Sequence, residues 1–318
     1  MADKPGLLLI GGATPRMMDR FTADFTIHKL ADGPDLAAMG DSILAVATNG
    51  HDGVPSDVLA ALPNLKIISC YGVGYDAIDT SVLVDRGILL SHTPNVLNEE
   101  VADTAIMLML ATYRNLITDD AYVRAGRWAK EGNVPLSRSG SGRTVGILGM
   151  GRIGQRIAEK LAAFNATVLY HARSDKGMAD MRYCPDLTQM AKDADVLICI
   201  TPGGAATRHL VNAEVLDALG PEGMLINVSR GSVVDEVALV KALQDGKLGW
   251  AGLDVFDAEP HVPQELMSMP NVVLLPHPPS SQIGIVAPRH RLLWGALSPQ
   301  TWQIVHFVQF MPESWQMS

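Results

Sequence analysis

The sequence predicts an α/β protein built from two doubly wound parallel-sheet domains. Two observations carry this. Short apolar runs alternate with helical patterns along almost the whole chain, the signature of parallel sheets covered on both faces. Midway, a glycine-rich turn joins an apolar strand to an amphipathic helix, Thr144 to Ser174, and starts a second series of alternations. A length of 318 residues suits two domains of ordinary size.

In the first series, apolar runs cover Leu7 to Ile10, Phe25 to Leu30 (the weakest), Ile43 to Ala47 and Leu65 to Cys70. Short helical patterns such as Asp57 to Leu62 lie between them, and Asn49-Gly50 reads as a turn. Ligands of such sheets collect beyond the carboxyl ends of strands. Just past Cys70 stand Tyr71-Gly72-Val73-Gly74-Tyr75-Asp76. The glycines leave backbone N–H groups accessible, which makes either a small anion nest suited to a carboxylate or a plain turn.

Asn98 to Leu116 reads as a long apolar helix, capped by Asn98 or an earlier polar residue, that bridges into the second domain. The polar segment Asp119 to Arg143 follows, and its SRSGSGR run reads as surface loop. The second series opens at Val145 to Leu148, followed by Gly149, Gly151 and Gly154 in G-x-G-x-x-G spacing. Ile153, Ile157, Leu161 and Phe164 then form a helical stripe, and Thr167 to Tyr170 is a second strand. Strand, glycine turn, helix and strand within about 30 residues is the context a dinucleotide site requires. Gly149 permits the tight turn, Gly151 lets the backbone approach a pyrophosphate, and Gly154 lets helix and strand pack closely. The helix start at Arg152 and Ile153 offers N–H groups to phosphate.

The second strand ends in His171-Ala172-Arg173-Ser174, where an NAD site usually carries an acid for the ribose 2′-OH; Asp175 lies past the strand end. A guanidinium with a hydroxyl suits a 2′-phosphate, which predicts NADPH with NADH as the weaker alternative. Further strands cover Val196 to Ile200, Met224 to Val228, Trp250 to Leu253 and Val272 to Leu275, giving six with the fingerprint strand first.

Parallel strands bring Arg230, Asp254 and His277 out on one edge, with Glu259 in the loop after Asp254. Reduction of a 2-keto acid needs a guanidinium for the carboxylate, a proton donor for the carbonyl oxygen and a carboxylate to orient that donor. Arg230, His277 and Glu259 are those residue types. Each also admits a plainer role, as a loop anchor, a packed turn residue or a solvated acid.

The residues then carry a family resemblance. GVGYDAID (72–79), RGILLSHTPNVLNEEVADTAIMLML (86–110), TVGILGMGRIG (144–154), TRHLVN (207–212), INVSRGSVVDE (226–236), GLDVFDAEP (252–260) and NVVLLPH (271–277) resemble the D-isomer-specific 2-hydroxyacid dehydrogenases. The resemblance implies a flavodoxin-like substrate domain over 1–97 and a Rossmann dinucleotide-binding domain with its bridging helix over 98–284. It makes Arg230, Glu259 and His277 the catalytic set and gives the substrate carboxylate to the amides of Val73 and Gly74. It puts Asp254 on the nicotinamide carboxamide, Thr104 near the cofactor, and Pro202, Thr207 and Val228 among the cofactor positions. The HARS ending is similar to that of the NADPH-linked glyoxylate and hydroxypyruvate reductases, and Glu259 argues against the formate dehydrogenase branch. A homodimer through the cofactor domain is implied as well. An NAD-linked lactate or phosphoglycerate dehydrogenase, or a cofactor-bound regulatory protein without turnover, are the alternative readings.

Twenty-five basic against 34 acidic residues, net −9, disfavour nucleic acid or an anionic membrane as partner. Cys70, Cys184 and Cys199 have no metal-type spacing and read as buried thiols of a reducing compartment. MADKPG lacks a signal-peptide core and no run reaches membrane-spanning length, so the cytoplasm is expected. After His277 the sequence leaves the family pattern: Pro279 stands where the family usually has glycine. The tail 285–318, where the family returns a helix to the first domain, holds Trp294, Trp302 and Trp315 and, from Leu292 on, Glu313 as the only charge. It reads as a recruited interface or membrane-contacting element, or as a tail not selected for this fold, such as the product of a shifted reading frame.

Overall fold

The computed structural model describes residues 4–277, so the readings of the tail after His277 lie outside the described residues. The chain divides into two compact units, one through Val96 and one from Leu97 onward.

The first unit holds five parallel strands: β1 (Gly6–Leu9), β2 (Thr26–Lys29), β3 (Ile43–Asn49), β4 (Ile67–Tyr71) and β5 (Leu89–Ser91), in the order β2-β1-β3-β4-β5. This is the flavodoxin-like order, and the chain reverses direction across the sheet between β1 and β3. Alternate residues of β1 face opposite layers. Leu7 and Leu9 pack with Phe21 and Ala45, whereas Leu8 packs with Val46, Leu59 and Ile68. With both faces buried, the strands read as continuous apolar runs rather than as polar–apolar alternation.

The second unit holds seven parallel strands: β6 (Thr144–Leu148), β7 (Thr167–His171), β8 (Arg182–Tyr183), β9 (Val196–Cys199), β10 (Met224–Asn227), β11 (Trp250–Leu253) and β12 (Val272–Leu274). Their order is β12-β11-β10-β9-β6-β7-β8. The sequence predicts six. Arg182 and Tyr183 form the extra one, too short and too polar to register as an apolar run. In the first unit β5 was missed in the same way, being only Leu-Leu-Ser. Val145 and Ile147 face the layer of helices Asn98–Tyr113 and Arg152–Leu161, while Leu148, Leu197 and Cys199 face the opposite layer of helices Leu187–Asp193, Ala213–Leu219 and Glu236–Gln244. The wind reverses between β6 and β9, which leaves a crevice beyond their carboxyl ends.

The bounds of the long helix need correction, whereas the SRSGSGR run is loop as expected. The long helix ends at Tyr113, not Leu116, because Asn115 turns left-handed at φ 51°; Leu97 stands at its N-cap without a side-chain cap bond, so Asn98 is not the cap. The polar stretch that follows is helical over Leu116–Arg124 and Arg127–Glu131. Its polarity reflects exposure. Ion pairs one turn apart, Asp120–Arg124 and Arg127–Glu131, each 2.7 Å, support these helices where no buried stripe does.

Candidate active site

The glycine turn after β6 is shaped as a dinucleotide cradle. Gly149 has φ 110°, and a Cβ there would lie 2.8 Å from the Ile200 carbonyl oxygen. At Gly154 a Cβ would drive into the Gly149 carbonyl, whereas one at Gly151 would meet nothing within 4 Å. The first and third glycines are therefore required by packing, and the second borders open space. Helix Arg152–Leu161 starts at Gly151 with no side-chain cap. The helices Leu187–Asp193, Ala213–Leu219 and Glu236–Gln244 are instead capped by Asp186, Asn212 and Asp235. Those helices satisfy first-turn N–H groups with a carboxylate or amide, whereas this one, like helix Asn98–Tyr113, has no side-chain cap bond.

Beside the cradle, the crevice holds two buried polar atoms with no hydrogen-bond partner among the described residues: Oδ1 of Asp254, after β11, and Oγ1 of Thr201, after β9. Burial pushes the Asp254 carboxyl above its ordinary value, and the nearby His277 pulls it the other way. A buried acceptor lacking a donor is what a carboxamide N–H₂ would complete, so these residues fit a nicotinamide. Thr201 was not singled out from sequence; within Thr201-Pro202-Gly203-Gly204 it reads as ordinary loop.

At the end of β7, Arg173 and Ser174 are exposed. Asp175 is engaged elsewhere: Tyr170 Oη donates to its Oδ1, as does the Gly177 N–H at 2.9 Å. Pro202 is exposed, and its carbonyl takes the Thr207 hydroxyl at 2.8 Å, which closes the loop after β9. Val228 is buried after β10. Thr104 is half-buried on helix Asn98–Tyr113, its hydroxyl donating to the Glu100 carbonyl at 2.9 Å.

Arg230, Glu259 and His277 follow β10, β11 and β12. Glu259 Oε2 lies 2.8 Å from His277 Nδ1, and Oε1 accepts the Phe256 N–H at 3.0 Å. The carboxylate side chain is 16% exposed and the imidazole 31%. With Nδ1 taken by the carboxylate, Nε2 is the nitrogen that can present a proton. Arg230 Nη1 donates to the Ser229 carbonyl at 2.8 Å. Its backbone is set by Asn227, whose amide donates to the Arg230 carbonyl at 3.0 Å and accepts from Ser229 N–H and Oγ at 3.1 and 2.9 Å. The adjoining Gly231 has no space for a Cβ, which would overlap the Phe256 carbonyl group; its absence lets the Arg230 turn lie against the loop that carries Glu259. Asn227 and Gly231 were not picked from sequence, since a polar strand end and a glycine turn mark neither contact.

In the first unit, the turn after β4 is held by His92, whose Nδ1 is 3.0 Å from the Val73 carbonyl and whose ring meets Tyr75 edge-on at 4.9 Å. Among the described residues, no backbone carbonyl takes the N–H of Val73 or Gly74.

Comparison with known proteins identifies the fold and the chemistry. The NAD binding domain model of the D-isomer specific 2-hydroxyacid dehydrogenases matches residues 106–278, and the family's catalytic domain model matches 7–171. The chain belongs to this family. It is an NAD(P)-dependent 2-hydroxyacid dehydrogenase. Among its relatives, glyoxylate/hydroxypyruvate reductase A of Arabidopsis thaliana is 46% identical over 237 residues, 74% of this chain and 75% of that protein. The 2-ketogluconate reductase of Gluconobacter oxydans is 40% identical over 283 residues, 89% and 91% of the two chains. Of solved structures, the NADPH-dependent glyoxylate/hydroxypyruvate reductase of Sinorhizobium meliloti, in complex with NADP and malonate, superposes with TM-score 0.83 at 46% identity, covering 88% of each chain. A 2-hydroxyacid dehydrogenase from Ketogulonicigenium vulgare gives TM-score 0.84 at 42% identity over 94% of this chain and 95% of that one. Among the described residues of this dehydrogenase, no helix is long and apolar enough to cross a membrane.

Proposed function

We propose that this dehydrogenase reduces a small 2-keto acid of the glyoxylate or hydroxypyruvate type to the D-2-hydroxy acid, with NADPH. The observation that carries the reading is the Glu259–His277 pair, 2.8 Å apart, on the strand-end edge that also bears Arg230 and the uncapped glycine turn. A nicotinamide held at the glycine turn and Asp254 would supply the hydride for the keto carbon. His277 gives its Nε2 proton to the carbonyl oxygen as charge develops there, while Glu259 orients the ring through Nδ1–H and balances the imidazolium. The Arg230 guanidinium holds the substrate carboxylate by paired hydrogen bonds. In the first unit, the amides of Val73 and Gly74 are donors of the kind that suits a carboxylate.

Gly149, Gly151, Arg152, Ile153 and Gly154 form the pyrophosphate cradle, Asp254 takes the carboxamide, and Thr104, Pro202, Thr207 and Val228 line the remaining cofactor surface. Arg173 and Ser174 read the 2′-phosphate. Their exposure beyond β7 and the engagement of Asp175 by Tyr170 support NADPH over NADH, as does the NADPH-dependent relative from S. meliloti. A homodimer is supported by the exposed apolar side chains Leu116, Ile117, Val123, Trp128 and Leu136 of the second unit. A cytoplasmic location is supported by the three thiols, Cys70, Cys184 and Cys199, all buried.

Steady-state assays of the purified protein test the reading. NADPH oxidation with glyoxylate and hydroxypyruvate is expected, with a lower KM for NADPH than for NADH. No oxidation of either nucleotide with any small 2-keto acid would overturn the activity. A preference for NADH would overturn the cofactor assignment and favour the NAD-linked lactate or phosphoglycerate class.

A further inference from the structure

Tyr170 is fully buried, yet its hydroxyl reaches the loop that leaves β7. That hydroxyl donates to Asp175 Oδ1 and accepts the Lys176 N–H at 3.0 Å, while the Gly177 N–H donates to the same carboxylate oxygen at 2.9 Å. The ring is tilted on Tyr183 of β8, with centroids 5.4 Å apart, and Tyr183 Oη donates to the Ala172 carbonyl at 3.3 Å. His171 Nδ1 lies 2.9 Å from the Cys184 carbonyl, and the Cys184 N–H donates to the Tyr170 carbonyl at 2.8 Å. The loop 172–177 is thus tied at its base to β8 and at its far side to a single buried phenol. Between those ties stand the exposed Arg173 and Ser174.

The tie also governs charge. A carboxylate beyond this strand, free to approach the ribose, accepts hydrogen bonds from a 2′-OH and repels a 2′-phosphate. Here Asp175 is turned back onto the Tyr170 hydroxyl. The hydrogen bond from Tyr170, followed by that from Gly177, holds its carboxyl below the ordinary value, and burial together with Asp175 pushes the phenol up. The pair therefore stays a neutral phenol donating to a carboxylate.

We propose that Tyr170 is a specificity-positioning residue: its hydroxyl latches Asp175 and so shapes the loop on which Arg173 and Ser174 meet the ribose 2′-phosphate. The inference rests on the NADPH reading above. Tyr170 touches neither substrate nor cofactor and acts through the loop.

Three variants test it against Arg173→Ala, with KM and kcat measured for both nucleotides. Tyr170→Phe keeps the ring packing and removes the latch. KM for NADPH is expected to rise about tenfold, as for loss of one hydrogen bond to a charged group, while KM for NADH and kcat stay within about twofold. Asp175→Ala also removes the latch but leaves no carboxylate to repel the phosphate, so KM for NADPH should rise in the same direction and by less. Asp175→Asn keeps an acceptor for the phenol and should retain the wild-type ratio of the two KM values within about twofold. If Tyr170→Phe and Asp175→Ala leave that ratio unchanged while Arg173→Ala shifts it, the latch is overturned and the phosphate reading stands. Parallel loss of both nucleotides with a lowered Tm makes Tyr170 a packing residue only, which also overturns the latch. If Arg173→Ala does not shift the ratio, the phosphate reading fails and the latch falls with it.

Discussion

Glu259 and His277 share a hydrogen bond of 2.8 Å, and the same carboxylate is anchored through its other oxygen to the Phe256 N–H at 3.0 Å. Both oxygens of Glu259 are committed, one to its own loop and one to the imidazole. The ring is held by a group whose own rotation is blocked. His277 itself sits at φ 43°, one of five non-glycine residues with left-handed backbone among the described residues; three of the others are asparagines. A histidine in that region is disfavoured by about 1–3 kcal/mol, a departure that clusters at functional sites.

If His277 is the proton donor, His277→Ala lowers kcat by about 10²–10⁴-fold with nucleotide binding retained. Glu259→Ala frees the ring and strands the Phe256 N–H, with an expected loss of about 10–150-fold. Stopped-flow rates with fluorescence titration of the nucleotide check both. Wild-type kcat in the histidine variant removes it from the mechanism.

The glycine turn separates packing from ligand contact. Gly154→Ala forces a Cβ into the Gly149 carbonyl, so Tm should fall, by an amount equivalent to about 1–3 kcal/mol. At Gly151 an added methyl meets open space, so Gly151→Ala should keep its Tm and lose affinity for both nucleotides. Equal melting behaviour of the two variants contradicts this division.

Cofactor choice is read at Arg173. Loss of a charge-assisted contact to phosphate is worth roughly 1.5–3 kcal/mol, so Arg173→Ala should raise KM for NADPH about 10–150-fold and leave NADH little changed. Equal effects on both nucleotides would show that the guanidinium does not touch the 2′-phosphate.

Asp254 sets a pH dependence of stability. Burial raises its carboxyl in the folded state, so its contribution is most favourable below the ordinary carboxylate range and is lost as pH rises through the folded value. Asp254→Asn has no charge to bury. Its Tm should exceed that of the wild type at about pH 7, and the gap should narrow toward about pH 4. A constant gap across that range would mean that burial of the charge carries no such penalty.

Much of the architecture was legible in the sequence because sheets buried on both faces write themselves as apolar runs, from Leu7 to Leu275. The glycine spacing marked the strand–turn–helix unit, and parallel topology put the residues after Met224–Asn227, Trp250–Leu253 and Val272–Leu274 on one edge. What stayed hidden lacked a pattern to carry it. Leu89–Ser91 and Arg182–Tyr183 are too short to show periodicity, and the exposed helices Leu116–Arg124 and Arg127–Glu131 have no buried stripe.

The same division runs through the site. The sequence by itself determined which chemical groups stand at the strand ends: Arg230, Asp254, Glu259 and His277 beside a glycine turn, with Arg173 and Asp175 beyond the second strand. Only the tertiary structure decided what each carboxylate does. Asp254 and Glu259 are five positions apart and chemically alike. One buries an oxygen that no described residue hydrogen-bonds, and the other spans from a backbone N–H to an imidazole eighteen positions away. Asp175, beside the guanidinium suited to a phosphate, is claimed by a buried tyrosine. The reason is physical. A residue type fixes charge and reach, but its partner is chosen by the direction in which the packed backbone points it, and that direction depends on contacts such as Gly231 against Phe256 that join separate stretches of chain.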